Sequence, residues 1–234
     1  MSCSCGDFTD AADRQFTALK AAKELKAYRR GRIGPTTRSL RDGLAETGLT
    51  QGTLLDIGGG VGALTFKLLD RGMTSATVLE ASSAYAAAVK DEATRRTRLQ
   101  SVDVVHGDLL DVSDELPSAD VVTLDRVVCC YPSYESLLDQ ALIHAKQGIG
   151  LSYPRDRWYV RAVMWFDNAK RARKSGFRTF VHPDPRDAAG HRACWLLARP
   201  SSAYAGLDDR RVRQALIITT SRAERRRRVN SRWC

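Results

Sequence analysis

Thr53-Leu54-Leu55-Asp56-Ile57-Gly58-Gly59-Gly60-Val61-Gly62-Ala63 is the stretch whose reading decides the fold. A short apolar run that ends in glycines and opens into an amphipathic segment reads as a buried parallel strand turning into a helix. Without a Cβ the glycines allow a tight turn and a close approach of backbone to a ligand. Such a turn also delivers the free N–H groups of the next helix to that ligand.

Two ligand classes use a loop of this kind. Gly58-x-Gly60-x-x-Ala63 satisfies the dinucleotide fingerprint, whereas Gly58-x-Gly60-x-Gly62 with Asp56 two residues upstream is not specific to it. The second pattern resembles motif I of the class I S-adenosylmethionine-dependent methyltransferases, an acidic residue followed by x-Gly-x-Gly-x-Gly. The charge helps to decide. A carboxylate at the strand end repels a pyrophosphate but suits a ligand that carries an ammonium and a sulfonium.

The 234 residues suffice for one sizeable core with a small appendage, and 43% apolar residues exclude wholesale disorder. No apolar run approaches the roughly 20 residues of a membrane span. The first ten residues have neither the basic nor the apolar region of a secretory signal, so a cytoplasmic location is the default expectation. The six cysteines, Cys129 and Cys130 adjacent among them, are expected as thiols. Cys3-x-Cys5 lacks the further ligands of a closed metal site, and no metal is expected. Residues 51–154 hold 8 basic and 14 acidic groups, so the net charge of +10 comes mostly from the C-terminal end. A nucleic-acid enzyme more often places its positive field around the catalytic face, which here belongs to the acidic part. A small-molecule substrate is expected, with nucleic acid disfavoured; the pattern sets no oligomeric state.

Three regions follow: an N-terminal helical extension over 1–49, a Rossmann-like domain over 50–182, and a basic, weakly patterned segment over 183–234. In the first, residues 1–9 read as a flexible lead. Ala12 to Arg30 reads as one helix capped by Asp10, with Phe16, Leu19, Ala22 and Leu25 on its apolar face, and a second helix runs from Pro35 to Gly48. Either could lid a cofactor cleft or only cover sheet surface. The core then alternates: strands at Thr53–Ile57, Ala76–Leu79, Val102–Val105, Ala119–Val128 and Ile149–Tyr153, with helices at Val61–Leu69, Ser83–Arg95 and Tyr134–Lys146. That order predicts an α/β fold, a doubly wound, mostly parallel sheet with helices on both faces. Beyond it a helix is expected over Arg157–Ser175, with Trp158, Val163, Trp165 and Phe166 as its apolar surface. Extended segments are expected at Phe177–Val181, Ala193–Leu197 and Ala215–Thr220. The Arg225–Arg228 run reads as a solvated tail. This arginine-rich end does not read as the natural completion of the domain and fits a frame change in the coding region.

Four features fall at the carboxyl ends of successive strands: Asp56 with the glycines, Glu80, Gly107-Asp108, and Asp125-Arg126. The resemblance, which spans about residues 50–155, implies S-adenosylmethionine as cofactor and a role for each. The glycine loop of Gly58, Gly60 and Gly62 cradles its methionine end, and Asp56 holds that loop and the ammonium. Glu80 accepts the two ribose hydroxyls, Asp108 meets the adenine amino group, and Asp125 completes the set. Each has a plainer alternative: a solvated strand end for Glu80, a turn or cap for Asp108, mutual pairing for Asp125 and Arg126.

The segment Val128-Cys129-Cys130-Tyr131-Pro132, with Ser152-Tyr153-Pro154-Arg155 and Phe180-Val181-His182-Pro183, resembles a bacterial set of small-molecule methyltransferases without assigned substrates. These lie loosely near the branch that includes magnesium-protoporphyrin methyltransferase. For catalysis the candidates are His182, whose ordinary pKa lies near neutrality, and Tyr131 beside the acceptor. Methyl transfer need not use a base, because the donor is already activated and an in-line alignment supplies acceleration. The rivals are an NAD-type oxidoreductase, a non-catalytic basic protein that binds nucleic acid or an anionic surface through 155–234, and a methyltransferase-like domain without activity.

Overall fold

The computed structural model describes residues 6–132, 134–154, 156–182 and 213–219. Strand β1 (Gly52–Ile57) lies inside a six-stranded sheet of order β3-β2-β1-β4-β5-β6. Strands β2 (Met73–Glu80), β3 (Val102–His106), β4 (Ala119–Asp125) and β5 (Ala145–Pro154) run parallel with it, and β6 (Arg213–Thr219) lies antiparallel on β5. Consecutive residues of a strand point to opposite faces, and β1 shows the consequence. Leu54 packs with Leu40, Leu44, Phe66 and Val78 on one side, while Leu55 packs with Val122, Leu137 and Ile149 on the other. A strand buried on both faces needs a mainly apolar run, which TLLDI supplies with Asp56 as its one buried charge.

The first face is covered by α2 (Ala18–Arg29), α3 (Pro35–Glu46), α4 (Ala63–Leu69) and α5 (Ser83–Arg95). The second is covered by α6 (Leu109–Val112) and α7 (Tyr134–His144). From β1 the chain winds outward through β2 and β3, then returns to β4 on the opposite side of β1. The crevice at the carboxyl ends of β1 and β4 is therefore the topological switch point, where open α/β sheets bind ligands.

The expected doubly wound sheet is present, with differences at its margins. The single helix expected over 12–30 is two: α1 (Gly6–Gln15) and α2, broken at Phe16 and Thr17. The break is tertiary in origin, because the Ser82 hydroxyl donates to the Phe16 carbonyl at 2.8 Å. Asp10 lies within α1 rather than capping it, and the start of α1 at Gly6 takes up part of the expected lead. The buried stripe of α2 is Ala21, Leu25 and Tyr28, one position round from the expected one, so Leu19 and Ala22 face water. Strand β4 stops at Asp125, where Arg126 takes φ +65°, and a 3-10 turn follows over Val128–Cys130. Residues 177–181 form no strand. The expected strand at 215–220 is β6. The expected strand at 193–197, the tail at 225–228 and Cys3-x-Cys5 lie outside the described residues.

One ion cluster fastens α2 to α5. The Glu92 carboxylate is fully buried and accepts from Arg29 Nε at 2.8 Å, Arg95 Nη2 at 2.6 Å and Arg96 Nε at 2.7 Å. Arg96 also donates to the Tyr28 hydroxyl and lies over the Tyr28 and Phe66 rings. Burial works against the charge on Glu92, but the three guanidiniums outweigh it and hold the group down at about 2. A folded-state value below the unfolded one gives stability that is present above the ordinary glutamate range and lost as pH falls toward 2. Glu92→Gln keeps the shape and removes the charge. It is expected to lower unfolding stability by about 2 kcal/mol at pH 7 in urea titration and to flatten the acid limb below pH 4.

Candidate functional site

Four loops meet at the switch point. After β1 comes the glycine turn, with Gly58, Gly60 and Gly62 at φ +62°, +59° and +76°. Gly58 is required on two counts: its backbone is left-handed, and a Cβ there would stand 2.5 Å from Val127 Cγ2. At Gly60 a Cβ would meet only the Tyr85 ring, at 3.8 Å, so that residue faces open space. The turn spends its own amides. Gly58 N donates to the Leu79 carbonyl at 2.7 Å, Gly62 N to the Gly59 carbonyl at 2.9 Å, and Gly60 N to Glu80 Oε2 at 2.8 Å.

Glu80 ends β2 and is 7% exposed. Its other oxygen accepts from Ser82 N at 3.0 Å, so this carboxylate joins the glycine turn to the start of α5. Asp56, 1% exposed, is gripped by two hydroxyls: Thr65 of α4 donates to Oδ2 at 2.5 Å, and Thr123 of β4 to Oδ1 at 2.7 Å. Burial lifts Asp56 to about 6 against the pull of those hydroxyls, and it lifts Glu80 and Asp108 as well. Asp125 accepts from Thr37 of α3 at 2.5 Å and from Ser152 of β5 at 2.6 Å. Ser152 in turn accepts from the Arg126 backbone N–H at 2.8 Å, which anchors that residue's left-handed conformation. Arg126 Nε stands 3.9 Å from Asp125, so the pairing weighed from sequence is present but long.

Two adjoining cavities open here. One, of about 290 Å³, runs from Gly58, Gly60, Leu79 and Glu80 to Gly107, Cys130 and Tyr131. The other, of about 340 Å³, lies between the glycine turn with Asp56 and the α2–α3 connection at Arg32 and Ile33, with Thr37 of α3 beside it. Gly58, Gly60, Asp125 and Arg126 border both. Four of the residues assigned from sequence, Gly58, Gly60, Glu80 and Asp125, thus line the first cavity together. Asp56 borders the second cavity from beneath the turn.

Gly62, Asp108 and His182 border neither cavity, whereas Tyr131 lines the first. Asp108 caps α6 through Leu110 N at 3.3 Å and accepts the Tyr131 hydroxyl, and it lies behind the cavity wall that Gly107 forms. Tyr131 does line the cavity, but burial and Asp108 push its phenol well above the ordinary range, so the hydroxyl keeps its proton. His182 borders neither cavity. Its Nε2 donates to the Tyr131 carbonyl at 2.8 Å and its ring packs on Tyr134, which fixes the 128–131 turn. Burial lowers its pKa. Cys129 and Cys130 are thiols, with sulfurs 4.0 Å apart, on the same wall.

Of the two roles weighed for the N-terminal helices, cleft lid or sheet cover, the first helix borders the cleft: Phe8, Ala12 and Gln15 of α1 and Phe16 after it roof the first cavity. Asp13 accepts the Ser83 N–H and hydroxyl, while Arg14 donates to the Ser175 carbonyl, so α1 is strapped down on both sides. Arg171, Phe177 and Thr179, near the α8 helix (Trp158–Ala172), supply the far wall. The sequence reading has a helix over 12–30 as a candidate lid but runs α1 and α2 together and leaves Phe8 in a flexible lead.

Residues 54–148 match the family model for a methyltransferase domain. No curated protein matches the chain. Among solved structures, magnesium protoporphyrin IX methyltransferase from Synechocystis PCC 6803 with bound S-adenosylmethionine superposes with a TM-score of 0.63 at 16% identity. That match covers 94% of this chain and 100% of the other. An O-methyltransferase family protein from Burkholderia thailandensis superposes with a TM-score of 0.62 at 17% identity, over 86% of this chain and 60% of that one. At these identities the structures speak for the fold, and the family model speaks for the domain. Residues 54–148 thus match a methyltransferase-domain model, and the sheet they build has the fold of these methyltransferase structures.

Proposed function

We propose that this protein transfers a methyl group from S-adenosylmethionine to a small-molecule acceptor, with Gly58, Gly60, Glu80, Asp56 and Asp125 as the cofactor-binding set. The observation that carries the reading is the spent amides of the glycine turn beside buried carboxylates. A pyrophosphate site needs free N–H groups aimed outward. Here those of Gly58, Gly60 and Gly62 are bonded within the protein, and the carboxylates of Glu80, Asp56 and Asp125 lie against the turn, with the arginines Arg32, Arg126 and Arg171 farther along the walls. Those carboxylates suit a cationic nucleoside and disfavour NAD.

Bound there, the cofactor supplies a methyl group already activated on a sulfonium. The protein's part is then to bind, orient and exclude water. Glu80 accepts the ribose hydroxyls with the lone pairs its backbone donors leave free. Asp56 and Asp125 present negative charge to the ammonium. The roof of Phe8, Ala12 and Phe16 dries the recess, which strengthens each of these contacts. Of the candidates for proton transfer, His182 is bonded elsewhere and Tyr131 holds its proton, so alignment rather than base catalysis is assigned as the main source of acceleration. Arg126 and Arg171 on the wall favour an acceptor with a negative charge, such as an ionised carboxylate.

Calorimetry of the purified protein is expected to show saturable binding of S-adenosylmethionine and S-adenosylhomocysteine and none of NAD. With cofactor labelled in the methyl group, label from a cell extract should enter the acid-soluble fraction. NAD binding would remove the cofactor reading, and label in the precipitate alone would remove the small-molecule half.

A further inference from the structure

Helix α8 is built inside out. Its inward side is polar: Asn168 donates to the Thr179 carbonyl at 2.7 Å and accepts from the Thr179 N–H at 2.9 Å, and Arg171 donates to the Thr179 hydroxyl at 3.1 Å. Val160 is the one buried residue of the helix. Its outward side carries Trp158, Val163, Trp165 and Phe166, exposed by 81%, 59%, 66% and 60%. These four are half of the eight large apolar side chains exposed among the described residues, and they fall within nine positions of one another. A helix of a soluble domain turns its apolar stripe to the core, so this reversal marks a surface that meets something else.

The charges around the stripe say what it meets. Arg161, Lys170, Arg173 and Lys174 are exposed beside it. The carboxylates of the element are neutralised locally: Asp156 by Arg161 at 2.6 Å, and Asp167 by Arg171 at 3.8 Å. Among the described residues no carboxylate pairs with Lys170, Arg173 or Lys174. Tryptophan and phenylalanine flanked by lysine and arginine, on a helix too short and too charged to span, form the pattern of a helix lying in a lipid headgroup layer. No helix of the described residues is long and apolar enough to cross a membrane. A second copy of this chain would bring the same cations face to face, which opposes pairing through this surface.

We propose that α8 is an interfacial docking helix that seats the protein on an anionic bilayer surface through Trp158, Trp165 and Phe166. The same helix contributes Arg171 to the cavity wall, so docking sets the recess beside the lipid surface. This proposal stands apart from the assignment of cofactor and acceptor and can fail without them.

The test is flotation of the full chain with vesicles of phosphatidylcholine alone, or with about a quarter phosphatidylglycerol. The expected result is at least about ten-fold greater partition onto the anionic vesicles, falling as salt rises from about 0.1 M to about 1 M. The double variant W158A/W165A should lose about ten-fold of that partition. Its calorimetric affinity for S-adenosylmethionine should not change, which also shows that it is folded. Equal partition onto both vesicle types, or none, overturns the proposal. So does a sedimentation-velocity dimer that the double variant abolishes, because it assigns the face to a second copy. Tryptophan fluorescence in the free protein that acrylamide cannot quench overturns it too, because another part of the chain would then cover the face.

Discussion

Replacing Glu80 by alanine is expected to raise the Kd for S-adenosylmethionine roughly a hundred-fold, since a hydrogen bond to a charged group is worth about 1.5–3 kcal/mol and the ribose offers two. The carboxylate also receives the Gly60 and Ser82 amides, so the variant loses both a ligand contact and a support of the glycine turn. The two effects can be told apart. 5′-Methylthioadenosine has the ribose and lacks the methionine end, whereas adenine lacks both. If Glu80 meets the ribose, the variant weakens the nucleoside and spares the base. A variant that weakens both alike would reduce Glu80 to a loop support, and unchanged affinity for all three would end the assignment. Two buried N–H groups left without acceptors should also lower unfolding stability, by about 1–3 kcal/mol.

How much of this could be read beforehand depends on how local the cause was. The parallel core was legible because a strand buried on both faces leaves a mainly apolar run, as Leu54 to Ile57 and Val121 to Leu124 do but for Asp56 and Thr123. The position of Glu80 at a strand end was legible for a related reason: it ends such a run, three residues before the start of α5. What escaped the sequence was set by distant partners. The break between α1 and α2 depends on a hydroxyl 66 residues away, and the end of β4 depends on Ser152, 26 residues beyond Arg126. Tyr131 reaches Asp108 across 23 residues and makes a wall out of what looked like an adenine ligand. His182 had the right chemistry for a base, yet its ring is taken up by a carbonyl that no spacing rule reveals. Helix α8 shows the same limit in reverse. Its apolar residues were read correctly as one surface, but periodicity cannot say whether a stripe turns inward or out.

Asp56→Asn is expected to make the protein more stable at pH 7 and a poorer binder of its cofactor. The sign follows from linkage. Burial raises the folded-state pKa of Asp56 from 3.8 to about 6, so the folded protein holds the proton more tightly than the unfolded chain does. Stability from this group is complete below the unfolded value and is lost as pH rises through the folded one. The interval of about two pH units corresponds to about 3 kcal/mol. Asparagine mimics the protonated acid and can still meet Thr65 and Thr123, each of which can turn its hydroxyl to donate or accept. Urea titrations should therefore give similar stabilities for the two proteins near pH 4 and a gap opening toward about 3 kcal/mol by pH 7, with the variant ahead. On the proposed reading, the cost of keeping this carboxylate ionised is recovered when a cationic ligand binds. Saturating S-adenosylmethionine should accordingly raise the Tm of the natural protein more than that of the variant. A variant that is less stable at pH 7, or that gains equally from the cofactor, would show that Asp56 serves only to fasten β1, β4 and α4 together.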